Sequence, residues 1–460
     1  MVMDQGKGAD LLRNKLGSNR FDAVSSILLF LLVIALSVQG PTLFAIGTMD
    51  FTVGHALVGI VGVSSLAWCL CSREGLQFPP APITALLGLF AVVTCMDVPR
   101  FGFGATIFKY VFQYLVLAVS MSLMRLMEPR RAELCIRVSA WIVLAMVLGN
   151  ACIHVGAFAE YYASPWDGHP NYETVFSGGV NLEATWPAML GVFMANNRCG
   201  WAYLLSAIVF AAGVQSRAGL MLAVGAFVYV VLIKDGVRPS WKRVVSTVFV
   251  VLVTAVFTIA GPRAFVMTTG MQPSTGDSAD VAGGETGSAV SADLQGGAGT
   301  GDIEGPSADG DQDSGLPSGL SQGDLIGTPG RKGIWAASLQ VFQDAPFFGH
   351  GAGNAMDAVR DLSGYPYRED NVHNYPLQVL LDFGLVGFAA FAAVVIGFVV
   401  SSARCRFISP FSAFIMLYLV GGMVQFAGGE LLAGFAIAGY AAFGSGFEST
   451  KSVMRGQIDD

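Results

Sequence analysis

Charge is scarce in this chain: only 13% of its 460 residues are Asp, Glu, Lys or Arg, 53% are hydrophobic, and the mean hydropathy is +0.58. That composition excludes a soluble globular protein and leaves an integral membrane protein. Cysteine is sparse too. Cys69, Cys71, Cys95, Cys135, Cys152, Cys199 and Cys405 all lie in or beside apolar segments, which argues against a disulfide framework or a structural zinc site. Large apolar residues are almost missing from about Gln272 to Gly327, a stretch rich in Gly, Ser and Asp. Nothing there could build a core, so it reads as a disordered acidic linker. Ten acids, from Asp277 to Asp324, fall within it, and without them 23 acids face 26 bases. The formal charge of -7 therefore belongs to the linker. Asp309, Asp311 and Asp313 have the opening spacing of a calcium loop, but the glycine comes one place late and position twelve is Leu320, so a solvated linker is the better reading.

What is abundant is apolar sequence in windows long enough to span a bilayer, roughly twenty residues each. Twelve such windows start near residues 21, 51, 82, 104, 132, 177, 200, 218, 242, 375, 409 and 429. The first follows Lys7, Arg13, Lys15 and Arg20 and reads as a transmembrane helix rather than a cleaved signal. With the N-terminus inside, seventeen basic residues fall on the inner side, and the short outer loops keep only Arg100 and Arg217. This bias predicts both termini in the cytoplasm. The expected fold is all-α and polytopic, with about twelve transmembrane helices and one large outer loop. Residues 1–20 form a cytoplasmic segment, 21–260 helices one to nine, 261–373 the outer loop, 374–446 helices ten to twelve, and 447–460 a cytoplasmic tail.

The outer loop divides into the linker, 272–327, and a structured part, 328–373, that begins after Pro329-Gly330. Trp335, Leu339 and Phe342 share one face of a predicted short helix ended by Pro346, and Met356, Val359 and Leu362 line a second before Gly364. These helices suit a membrane-interface lid, or pack on each other. The loop closes on His373-Asn374, where an apolar helix begins. Asn374 is a good N-cap and Pro376 falls in the first turn. The helix N-terminus beside His373 suits an anion and disfavours an imidazolium, so His373 should tend to be neutral and able to accept a proton, with Glu369 and Asp370 acting the other way.

An ionisable residue within or at the outer end of a membrane helix is a functional candidate. Arg217 stands in the tight turn Gln215-Ser216-Arg217-Ala218-Gly219, Arg263 ends helix nine, and Arg331 re-enters the structured loop. Three guanidiniums at one outer surface suit a diphosphate, because each offers a fixed fork of donors. His350 lies in the turn Gly349-His350-Gly351, Asn181 starts helix six, and Lys109 lies about eight residues into helix four, placed to meet a lipid phosphate or to pair with Glu183. Asp382 and Glu430 are further intramembrane carboxylates.

His373, Asn374, Gly384 and Gly387 fill a pattern of His, then Asn, Ser or Gln, nine residues, Gly, two residues, and Gly, Thr or Tyr. On these residues, and on Ser216-Arg217 and the proline-to-glycine turn from Pro346, the chain resembles the O-antigen ligase and polymerase family of bacterial membrane glycosyltransferases. The resemblance implies transfer of a glycan from undecaprenyl diphosphate to a sugar hydroxyl at the periplasmic face of the inner membrane. His373 would be the general base, and Arg217, Arg263 and Arg331 would hold the donor diphosphate, with Arg217 also catalytic. Asn374, Asn181, Lys109 and His350 would give support. It implies no cofactor or metal, no nucleic-acid partner, and as partners the lipid-linked donor, membrane lipids and an acceptor. A lipid A-core acceptor makes the protein a ligase, and another lipid-linked repeat makes it a polymerase; one dominant outer loop favours the ligase. A transporter or flippase of lipid-linked glycans would show internal repeats and symmetrically broken helices, and no such duplication is evident.

Overall fold

The computed structural model describes residues 22–38, 42–46, 49–72, 75–96, 99, 106–163, 170, 172–176, 179–234, 240–254, 331–364, 371–404, 408–424 and 430–443. Arg263, the acidic linker and both chain ends lie outside the described residues. A helix occupies every one of the twelve apolar windows. In chain order these are α1 (Asp22–Ser37), α2 (Val53–Cys71), α3 (Ala81–Met96), α4 (Thr106–Arg125) and α5 (Pro129–Ile153), then a short α6 (Val155–Ala163). Next come α7 (Val180–Leu190), α8 (Arg198–Gly213), α9 (Arg217–Val228) and α10 (241–254). Helices α11 (Arg331–Asp344) and α12 (Ala355–Ser363) precede α13 (Tyr375–Arg404), α14 (Pro410–Val424) and α15 (Glu430–Phe443). By length and composition three of the described helices, α2, α5 and α13, suffice to cross a membrane, and several shorter ones are equally apolar.

The all-α expectation needs one correction. Thr42–Ile46 and Met49–Thr52 pair as an antiparallel hairpin, β1 and β2, with Phe44 opposite Phe51 and Ile46 opposite Met49. The sequence reason is local, since Thr, Phe and Ile flank Gly47 over a stretch too short for a helix to bury a face. Thr52 then caps α2, accepting from the His55 N–H while the His55 ring meets the Thr52 N–H.

The centre of the bundle is α7, buried on nearly every side and packed mainly against α9. Gly219 makes this approach close: a Cβ there would lie 2.5 Å from the Ala184 Cβ. Helix α7 is short. Its continuation turns tighter over Gly191–Phe193 and stops inside the protein, where the exposed carbonyls need donors. Lys234 donates to the Met194 and Phe193 carbonyls at 2.9 and 3.2 Å, and Arg137 to that of Phe193 at 3.2 Å. Glu133 pairs with both cations, so charges at the negative end of the helix are balanced as well as bonded. At its other end, Glu183 is fully buried and accepts from the Tyr172 hydroxyl and the Val175 N–H. Burial beside that carboxylate raises the pKa of the Tyr172 phenol, so Tyr172 remains a donor.

Helices α11 and α12 form their own small core, in which Ile334, Ala337 and Val341 of α11 meet Ala355, Met356 and Val359 of α12 together with Val372 and Leu381. Of the two uses left open for the Trp335, Leu339 and Phe342 face, packing on α12 falls to a neighbouring stripe of the helix. Trp335 and Leu339 are exposed, Phe342 is partly buried at the rim, and the buried stripe lies one residue round. On α12, Met356 and Val359 are buried as expected, while Leu362 is exposed. The helix ends at Gly364 in the left-handed conformation (φ 63°).

Candidate active site

Helix α13 is two helices in series. At Gly384 the backbone leaves helical geometry (φ 62°, ψ -166°), separating a nine-residue piece, 375–383, from the long apolar piece that follows. Such a break orphans carbonyls before it and N–H groups after it. The turn from Pro346 to Gly351 supplies the partners. The N–H groups of Leu385 and Val386 donate to the carbonyls of Pro346 and Phe347 at 2.8 and 3.1 Å, and the carbonyls of Leu381 and Asp382 accept from His350 and Gly351, both at 2.9 Å. Contact is so close that a Cβ on Gly384 would lie 2.3 Å from the Phe347 carbonyl carbon, and one on Gly349 would lie 2.5 Å from the Leu381 oxygen. The glycines that carry the family pattern are therefore a clasp. Gly387, one turn on, leaves room for Phe383, whose ring stacks on that of Phe90 with centroids 3.8 Å apart.

Gly384→Ala should be among the most destabilising single changes in the chain. It adds a Cβ at positive φ and inside contact distance of backbone, a loss of about 3 kcal/mol or more. Thermal unfolding of the purified variant in detergent should show a midpoint lowered by several degrees; an unchanged midpoint would mean that the clasp opens without cost.

The clasp aims the short piece of α13, and with it His373. Asn374 caps that piece, its side-chain oxygen accepting from the Leu377 N–H at 3.0 Å. The Asn374 amide also donates to the Met423 carbonyl at 3.2 Å, tying the cap to the end of α14. His373 is half-buried and has a left-handed backbone (φ 52°). Among the described residues only one other non-glycine has positive φ, and it is Gln215 (φ 55°), two residues before Arg217. Strain of this kind gathers at functional sites because it must be held by its surroundings. Here both instances fall at the turns that the sequence singled out.

Arg217 is the first residue of α9 and is exposed. Ser216 caps the helix by accepting from the Gly219 N–H, and its own N–H closes α8 by donating to Ala211 at 3.0 Å. Helix α14 packs between the two halves of the site, touching α9 through Gly421 against Leu222 and α13 through Gly422 against Tyr375. Arg331 opens α11 and is exposed; one turn on, Trp335 donates its indole N–H to the Val372 carbonyl at 2.7 Å. The structure thus joins the Arg331 helix to the residue before His373. His350 has a structural place. Its ring nitrogen meets the Val341 carbonyl at 3.0 Å and its backbone holds Leu381, so it belongs to the clasp. Asn181 is the second residue of α7 and half-buried. Lys109 is the fourth residue of α4, nearer that helix's outer end than expected, and its side chain lies outside the described residues. Glu183 finds its partners in Tyr172, Val175 and Asn150.

A cavity of about 720 Å³ lies between α3, α4, α13, α14 and α15, and its lining includes Asn371 and Tyr375, two residues either side of His373 in the chain. Gln113, Asn371, Gln378, Asp382 and Ser401 are among its polar lining, and most of the remainder is apolar. A largely apolar space with a few polar groups suits an amphipathic lipid rather than a free sugar. Sequence reasoning had noted Asp382 but missed Gln378, Asn371 and Trp335 as supports; the signal available was a Gln and an Asp four residues apart on an apolar helix.

The apolar helices define a membrane protein. A family model described as O-antigen ligase matches residues 184–392, which include Arg217, Arg331, His373, Gly384 and Gly387. Over that stretch the chain is similar to the O-antigen ligase family, a family of glycosyltransferase-like enzymes. No curated protein matches the chain.

Proposed function

We propose that the protein transfers a glycan from undecaprenyl diphosphate to a sugar hydroxyl of lipid A-core, at the periplasmic face of the bacterial inner membrane. The observation that carries this reading is the left-handed backbone of His373, set in the chain between Asn371 and Tyr375, both of which line the apolar cavity. In the reaction the acceptor oxygen attacks the anomeric carbon, the bond from that carbon to the diphosphate breaks, and the hydroxyl proton passes to His373. Arg217, Arg331 and Arg263 stabilise the departing diphosphate, with no metal needed for that charge. Arg217 and Arg331 each stand at a helix N-terminus, where a cation is disfavoured by the dipole but helix and guanidinium together favour an anion.

Twelve crossings with both termini in the cytoplasm accommodate the basic-residue bias. Phe347 and Phe348 are exposed beside Leu385 and Val386, and Trp335 and Leu339 are exposed on α11; this apolar surface supports seating of the outer-loop helices at the lipid interface. Cells lacking the protein test the acceptor. Accumulation of long glycan on the lipid carrier, with lipid A-core left bare, is the expected result. Lipid A-core bearing a single repeat would assign the protein to polymerisation instead.

A further inference from the structure

The left-handed backbone of His373 has to be held by specific contacts, and the described residues show which. Its own N–H donates to the Asn371 side-chain oxygen at 3.0 Å. The preceding residue, Val372, is fully buried and is gripped at both backbone groups: its carbonyl accepts from Trp335 at 2.7 Å, and its N–H donates to the Gln378 side-chain oxygen at 3.1 Å. Gln378 is itself buried, and an amide can present either end. Asp382, one turn on, settles which. Its Oδ1 accepts from the Gln378 Nε2 at 3.0 Å, so the Gln378 oxygen is turned toward Val372. Capping of α13 does not explain this pair, because Asn374 already provides the cap. Two polar side chains buried four residues apart on an apolar helix are costly to desolvate unless their bonds serve an end.

We propose that Gln378, oriented by Asp382, is a positioning residue that fixes His373 for proton transfer by holding the Val372 N–H. The proposal rests on His373 being the base. Misplacing a reacting group by about 1 Å costs on the order of 100-fold in rate, and a residue that only aims the base should leave donor binding alone.

The test is steady-state transfer by the purified full-length protein in lipid nanodiscs, with a polyprenyl-diphosphate glycan as donor and lipid A-core as acceptor. Gln378→Met keeps shape and loses the acceptor; kcat should fall about 100-fold, a far larger change than any in KM for donor, although Gln378 also lines the cavity. Gln378→Glu, sharing one proton with Asp382, keeps both bonds and should recover most of that loss. Trp335→Phe removes the other grip on Val372 with little change of shape, and should lower kcat alone. It keeps the test open should the Met variant fold poorly. In a His373→Ala background Gln378→Met should add no further loss, since the group it aims is gone. An equal further loss in that background, or a change confined to KM, would overturn the proposal while leaving His373 as the base. Undiminished transfer by His373→Ala alone would remove the base, and the proposal with it.

Discussion

His373→Ala is expected to bind the lipid-linked donor as the native protein does and to transfer glycan about 10³-fold more slowly, within the range of roughly 10² to 10⁴ that a positioned general base contributes. The change removes the proton acceptor but leaves Arg217, Arg331 and the apolar cavity in place. It also substitutes one left-handed non-glycine residue for another, so backbone strain is not relieved. His373→Gly relieves that strain, and the two variants separate chemistry from conformation: both should lose transfer alike, while the Gly form should be the more stable by about 1 kcal/mol. Donor binding measured by competition with a polyprenyl diphosphate should be unchanged in both. Loss of donor binding would move His373 into the diphosphate pocket, and near-normal transfer would make it a helix-start residue only.

The chain disclosed its helices more readily than its joints. Apolar windows give the existence of a helix because each is long and bounded, and the cap at Asn374 follows from residue type alone. The Gly384 break was hidden because its cause is thirty-nine residues away along the chain: the carbonyls of Pro346 and Phe347 accept the N–H groups of Leu385 and Val386 that the helix gives up. A glycine in a motif shows that a side chain is unwelcome without showing what would meet it. Helix α11 was legible only in part. Ile334, Ala337 and Val341 repeat at the same spacing as Trp335, Leu339 and Phe342, so a helix apolar on two faces offers periodicity no choice. The larger side chains point outward, as a surface meeting lipid allows. Arg217 and His373 were visible as residues of interest, but their shared left-handed neighbourhoods belong to backbone geometry, which residue identity does not encode for Gln or His.

Arg217→Lys is expected to lose most transfer activity, about tenfold or more, although it keeps the charge. If Arg217 served only as a positive charge at the outer surface, an ammonium in the same place would serve nearly as well. A diphosphate leaving group asks for more, because negative charge grows on several oxygens as the anomeric bond breaks, and the planar guanidinium meets two of them with parallel donors. Its setting favours that use. Ser216 and the N–H of Gly219 fix the first turn of α9, Gly219 locks that turn against Ala184 of buried α7, and Gln215 holds the preceding chain reversal in a strained conformation. The base of the side chain is thereby rigid while the head is exposed, which keeps the entropic cost of meeting a phosphate low. Arg217→Ala should lose transfer further, and the gap between Lys and Ala measures charge while the gap between Arg and Lys measures geometry. Both should unfold thermally within a few degrees of the native protein, because the side chain is exposed and a cation at a helix N-terminus adds no stability. Full transfer by the Lys variant would reduce Arg217 to a general electrostatic contribution, and full transfer by the Ala variant would remove it from the site.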